Sequence, residues 1–140
     1  MALVIPQEAI TDSLEAFVNK TAPEDIILRL YTNDATPATA STAADFTEAS
    51  GSGYSAITLI PANWSTVVPG DEITPSTTTY PATTFTFSAA HDGIYGYYAT
   101  RATSGRLAFA KRFTNAPLPI PGAGSTIEVE VTLGATEING

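Results

Sequence analysis

From Thr126 to Leu133 the chain reads T-I-E-V-E-V-T-L, which sets Ile127, Val129, Val131 and Leu133 on one side and Thr126, Glu128, Glu130 and Thr132 on the other. This two-residue period predicts a strand with one dry face and one wet face. A dry sheet face requires a second layer over it, so the segment implies a packed β architecture.

Working back from this strand, the same period recurs. Asp25 to Thr32 sets Ile26, Leu28 and Leu30 against Ile27, Arg29 and Tyr31; both faces are partly apolar, which predicts a central strand. Asn33 to Ala44 carries only Thr, Ala, Ser, Asp, Asn and Pro, the composition of an exposed loop. Phe46 begins a short predicted strand broken at Gly51-Ser52-Gly53, and Tyr54 to Ile60 alternates until Pro61 stops the ladder. Trp64 opens a further short strand to Val68, with an indole able to anchor a core, before the turn Pro69-Gly70-Asp71.

Pro75 to Pro81 is Thr-rich and bounded by prolines, which predicts an edge segment. Phe85 and Phe87 share a face, and Ala90 to Gly93 predicts a turn that would close a hairpin onto Ile94 to Thr100. Thr103-Ser104-Gly105 is a second turn into Arg106 to Phe113, where Leu107, Phe109 and Phe113 are expected on one face with a snorkelling Lys111. Pro117, Pro119 and Pro121, with Gly122 and Gly124, read as a stiff connection crossing between sheets.

The first 20 residues differ. Pro6 suits a first helical turn, and Ile10, Leu14, Phe17 and Val18 recur at helical spacing, so an amphipathic helix ending near Lys20 or Thr21 is predicted. Glu8, Asp12 and Glu15 towards its start and Lys20 at its end follow the helix dipole. Its apolar stripe must cover the sheet of its own domain or another subunit. Seven or eight short strands and one helix then predict an all-β fold, an antiparallel β-sandwich of jelly-roll or immunoglobulin-like topology. Residues 1–22 would form an N-terminal arm and 23–140 the sandwich.

At 140 residues the chain is sized for one domain. Its net charge of -8 opposes sequence-independent binding to phosphate backbones, so no nucleic acid is expected as partner. Between Arg29 and Arg101 there is no Lys or Arg, while Asp34, Asp45, Glu48, Asp71, Glu72 and Asp92 fall there; Arg101, Arg106, Lys111 and Arg112 cluster afterwards. A complementary partner can read such a polarity, and isolated solvated charges at strand ends give the same pattern. There is no Cys, hence no disulfide. The start M-A-L-V-I-P lacks the basic region of a signal peptide, and no run approaches the roughly 20 apolar residues of a membrane span.

Side chains suited to catalysis are scarce. His91-Asp92 is a neighbouring pair, but it stands in a predicted turn, and triads are defined by geometry rather than adjacency. One His and no Cys leave carboxylates as metal ligands, and Asp71-Glu72 or Asp45 with Glu48 supplies too few for a calcium loop, so neither metal nor cofactor is expected. The glycines of Gly51-Ser52-Gly53 and Gly122-Ala123-Gly124 lack the following helix and Lys of a phosphate loop. Tyr95, Tyr97 and Tyr98 with Arg101 and Arg106 would suit stacking on a sugar or a base, or plain cross-strand packing. No enzymatic activity is predicted.

The order of segments carries a resemblance: L-R-L-Y-T-N-D from Leu28, the Thr/Ala/Pro loop, D-F-T-E-A-S-G-S-G-Y from Asp45, Trp64, Y-P-A-T-T-F-T-F from Tyr80, I-Y-G-Y-Y from Ile94, L-A-F-A-K-R-F from Leu107 and the closing strand. Over Leu28 to Leu133 the chain resembles small β-rich structural proteins of tailed bacteriophages, in particular capsid decoration or cement proteins. The resemblance implies a non-enzymatic protein on the outside of a virion shell, often a homotrimer, that clamps subunits of the major capsid protein. The contact residues expected on this reading are Ile10, Leu14 and Phe17 on the arm, the basic set Arg101, Arg106, Lys111 and Arg112, and Glu128 and Glu130 facing a neighbour's basic strand. The alternative reading is a tail or fibre module that binds host carbohydrate.

Overall fold

The structure is a computed structural model and describes residues 2–71 and 73–135. One helix, α1 (Gln7–Phe17), precedes eight strands: β1 (Ile26–Tyr31), β2 (Ile57–Leu59), β3 (Ser76–Thr86), β4 (His91–Ile94), β5 (Gly96–Arg101), β6 (Leu107–Arg112), β7 (Leu118–Ile120) and β8 (Thr126–Ala135). The fold is all-β and sandwich-like, as the periodicity predicts. A four-stranded antiparallel sheet in the order β2-β1-β5-β6 forms one layer, and the pairs β3-β8 and β4-β7 supply the rest.

The main core lies between them. Leu28, Leu30, Tyr97, Ala99 and Phe109 of the four-stranded sheet meet Tyr80, Phe85, Ile127, Val129 and Val131 of the β3-β8 pair and Phe87 just past β3, with Ile94 and Ile120 from β4 and β7. The strand from Thr126 therefore behaves as its pattern requires: Ile127, Val129 and Val131 are buried, and Thr126, Glu128 and Glu130 are exposed. Burying one such side chain contributes roughly 1.5–3 kcal/mol.

β1 is central, also as predicted, because its second face is covered as well. Tyr31 and Tyr98 pack there with Phe46, Leu107 and Ala110. The cover is the segment expected to be an exposed loop: Ala35 and Ala43 pack on the aromatic group, and the Tyr31 hydroxyl donates to the Ala35 carbonyl at 3.1 Å. Small side chains let this backbone lie close to the rings, with Phe46 4.9 Å from Tyr31 and 5.1 Å from Tyr98 between centroids.

Several local expectations give way. No hairpin forms at 90–93; His91 starts β4, which pairs with β7, while β3 pairs with β8. The proline-rich stretch still leaves the four-stranded sheet, but Leu118–Ile120 within it is a strand. Phe46 and Trp64–Val68 make no strands: Glu48 and Val68 form single bridges to Tyr31 and Thr77. Trp64 is only half-buried, set edge-on to Tyr80, and the largest fully buried side chains are Tyr31, Phe87 and Phe109. In β6 the pairing slips between Ala99 and Thr100, which face Phe109 and Leu107. The bulged residue, Ala108, turns Leu107 to the aromatic face and leaves Phe109 in the main core, so the two do not share a face.

The N-terminal segment is not a free arm. Val4 pairs with Ala110 through backbone bonds of 2.8 and 3.0 Å, Leu3 and Ile5 pack on the main core, and Pro6 is fully buried. The helix ends at Phe17, short of the expected end near Lys20 or Thr21, because Asn19 takes a left-handed φ of 60° that ends the repeat.

Candidate interaction surface

The helix docks by its acidic side. Glu8 and Asp12 lie one turn apart, on the face that also carries the buried Ala9. The Asp12 carboxylate accepts both hydrogen-bond lines of Arg106 Nε, at 2.8 and 3.1 Å, and lies 3.1 Å from Arg101 Nε. That Arg101 N–H is not aimed at the carboxylate and has no hydrogen-bond partner, so the pair is held by charge alone. Glu8 Oε1 accepts the backbone N–H of Leu107 at 2.6 Å, which ties the helix to the start of β6.

Docking this way turns the apolar stripe outwards. Ile10 is 43 % exposed, Leu14 64 %, Phe17 86 % and Val18 67 %. None of the four belongs to either core cluster. Three ion pairs, Asp12 with Arg101 and Arg106 and Glu8 with Arg106, and the Glu8–Leu107 hydrogen bond hold the helix in this orientation. Between the end of the helix and the β5-β6 turn lies a cavity of about 360 Å³ lined by Asp12, Glu15, Glu24, Ser104 and both arginines. At its rim Glu24 accepts the N–H groups of Thr103 and Ser104, each at 2.7 Å, and these bonds hold its carboxyl below the usual value.

The basic cluster is thus absorbed by the chain's own acids. Arg101 and Arg106 serve Asp12 and Glu8, while Arg112 binds Asp34 and the Ala35 carbonyl and lies over the Tyr95 ring at 5.2 Å. Lys111 is half-buried, and neither it nor Lys20 has an ion pair among the described residues. The expected contact between Glu128 and Glu130 and a neighbouring copy's basic strand therefore lacks its arginines. Glu128 and Glu130 themselves are exposed on the wet face of β8 with no ion pair among the described residues.

A further charged site escaped the sequence reading. Arg29 on β1 donates to both oxygens of Glu48 at 2.9 and 3.0 Å and to Thr100 at 3.0 Å, and the Tyr54 hydroxyl donates to Glu48 at 2.9 Å while accepting Leu30 N–H. Burial pushes the Tyr54 phenol up, so it stays a donor. The odd-numbered place of Arg29 on an apolar strand was the available signal, since a cation there needs a partner.

His91 has the bonding of a structural residue. Its Nδ1 lies 2.8 Å from the Asp92 carbonyl and its Nε2 2.9 Å from the Ser50 carbonyl, and the ring leans on Phe87 at 5.4 Å. No Asp92 carboxylate contact orients it, which is what a triad requires. Tyr97 and Tyr98 are buried and Tyr95 is covered by Arg112, so these rings do not form an open stacking platform. Among the described residues no three carboxylate or His groups gather where a metal could sit, and no helix is long and apolar enough to cross a membrane; Glu72 lies outside the described residues. No family model, curated protein or solved structure matches the chain.

Proposed function

We propose that this protein is a structural component of a virion, a capsid decoration or cement protein that binds the outer capsid surface and ties major capsid subunits together. The observation that carries the reading is the division of its side chains. Arginines, tyrosines and His91 are spent on internal contacts, whereas Ile10, Leu14 and Phe17 and the wet face of β8 are left outward. A surface of that kind suits docking rather than chemistry: His91, in an open cleft with Ser50, Ser52 and Asp92, has both ring nitrogens engaged by backbone carbonyls. Repeated attachment on a lattice lets modest contacts add up, and a homotrimer would multiply them threefold.

The carbohydrate-binding alternative has less support, since the tyrosines that motivated it point inwards or sit under Arg112. Quantitative mass spectrometry of purified particles tests the proposal. A copy number that is a large, symmetry-related fraction of the major capsid protein supports it; absence from particles, or a few copies each, removes it.

A further inference from the structure

β8 is hydrogen-bonded on one side only. Its partner is β3, and among the described residues no other backbone bond reaches Thr126–Ala135. Which peptide groups remain free follows from the start of the strand. Gly124, with φ of 85°, donates to the Phe87 carbonyl at 2.9 Å, and Phe87 N–H donates to the Ser125 carbonyl at 2.9 Å, a glycine bulge that makes Phe87 and Ser125 a bonded pair. The register then runs Phe85 to Ile127, Thr84 to Glu128 and Thr83 to Val129. Bonded and non-bonded pairs alternate in an antiparallel ladder, so Ile127 and Val129 turn their N–H and C=O groups towards β3, and Glu128 and Glu130 turn theirs to the open edge.

The same two residues carry carboxylates on the wet face. An incoming strand at this edge would thus find free backbone donors and acceptors and two negative charges on the wet side, and its other side would continue the face on which Ile127, Val129 and Val131 are already buried in the core. We infer that the β8 edge is a docking site for an extended segment of another protein, with Lys or Arg at alternate positions and apolar residues between them. A second copy fits this chemistry poorly: its own β8 is equally acidic, Arg29, Arg101, Arg106 and Arg112 are held by acids of their own chain, and the two lysines without an ion pair among the described residues, Lys20 and Lys111, lie in different segments rather than at alternate positions of one strand. The inference is independent of where the partner resides, so it stands or falls apart from the virion reading.

The test is titration of the full chain with a synthetic peptide of alternating Lys and Val and with its Glu-for-Lys twin, followed by amide exchange in nuclear magnetic resonance. Binding of the basic peptide alone, with new protection at the Glu128 and Glu130 amides, is expected, weakened roughly tenfold in the E128K/E130K double variant. Glu128→Pro removes an outward N–H that β3 does not use, and it should abolish the new protection while leaving the fold intact. Should the proline variant misfold, the double lysine variant carries the test. Equal binding of both peptides, binding with no protection at these two amides, or no binding at about 1 mM peptide overturns the inference. So does concentration-dependent protection of the same amides without peptide, which would make the occupant a second copy.

Discussion

Asp12 and Arg106 stand 94 positions apart, yet the Arg106 Nε–H lies between both Asp12 oxygens at 2.8 and 3.1 Å. This contact, with Arg101 alongside, decides which face of the helix meets the sheet. It also engages both arginines with a carboxylate of their own chain.

Replacing Asp12 by Ala leaves Arg101, whose side chain is only 14 % exposed, without its ion pair, and leaves Arg106 with Glu8 alone at 3.9 Å. The expected loss is about 1–3 kcal/mol, less than for a fully buried pair because Arg106 remains near solvent. Denaturant midpoints of D12A, R106A and the double variant measure it; additive effects would show that the pair is not coupled.

Outward apolar residues should behave differently. Leu14→Ser with Phe17→Ser is expected to change stability by no more than about 0.5 kcal/mol, since neither side chain packs on the body. Removing residues 2–19, in contrast, takes away the Val4–Ala110 pairing and the buried Pro6 and should cost cooperativity in thermal unfolding. If the double serine variant also fails to bind particles, the stripe is the attachment face.

Acid titration has a defined sign. Backbone donors hold the Glu24 and Asp71 carboxyls below their ordinary values of 4.5 and 3.8. Their contribution is complete above those values and fades as pH falls through the lower folded ones. Urea midpoints compared across this acid range should therefore fall less steeply in Glu24→Gln than in the parent chain.

At the alkaline end burial pushes Tyr31 and Tyr97 up to about 12 from 10.0. The unfolded chain loses these protons first, so stability should decline between about pH 10 and 12. Ultraviolet titration of phenolate checks this: part of the tyrosine signal should appear only with unfolding.

Gly96 is tightly enclosed. A Cβ there would meet the Lys111 carbonyl at 2.2 Å and the Tyr31 hydroxyl at 2.6 Å, so Gly96→Ala should cost about 2–3 kcal/mol or prevent folding. Calorimetry of the alanine variant against a Gly122→Ala control, where a Cβ meets nothing, measures the difference.

How far the sequence could be read follows from the range of each interaction. The alternation at Thr126–Leu133 and the two apolar faces of Asp25–Thr32 disclosed their own burial, because a strand's pleat is a local property repeated every two residues. The turn at Thr103–Gly105 was equally legible, as Arg101 and Arg106 bond directly across it. Glu8 and Asp12 were read as dipole partners of their own helix, since nothing local announces a bond to residues some 94 positions away.

The sequence by itself determined an all-β chain with a short amphipathic helix, seven or eight strands, and few side chains suited to catalysis. Only the tertiary structure decided that β3 seeks β8 rather than β4, that small residues of 33–44 roof the second face, and that the helix stripe faces outwards. The physical reason is common to all three. Pairing of distant strands, shape-matched cover and satisfaction of buried charge depend on what the rest of the chain brings alongside, which no local period encodes.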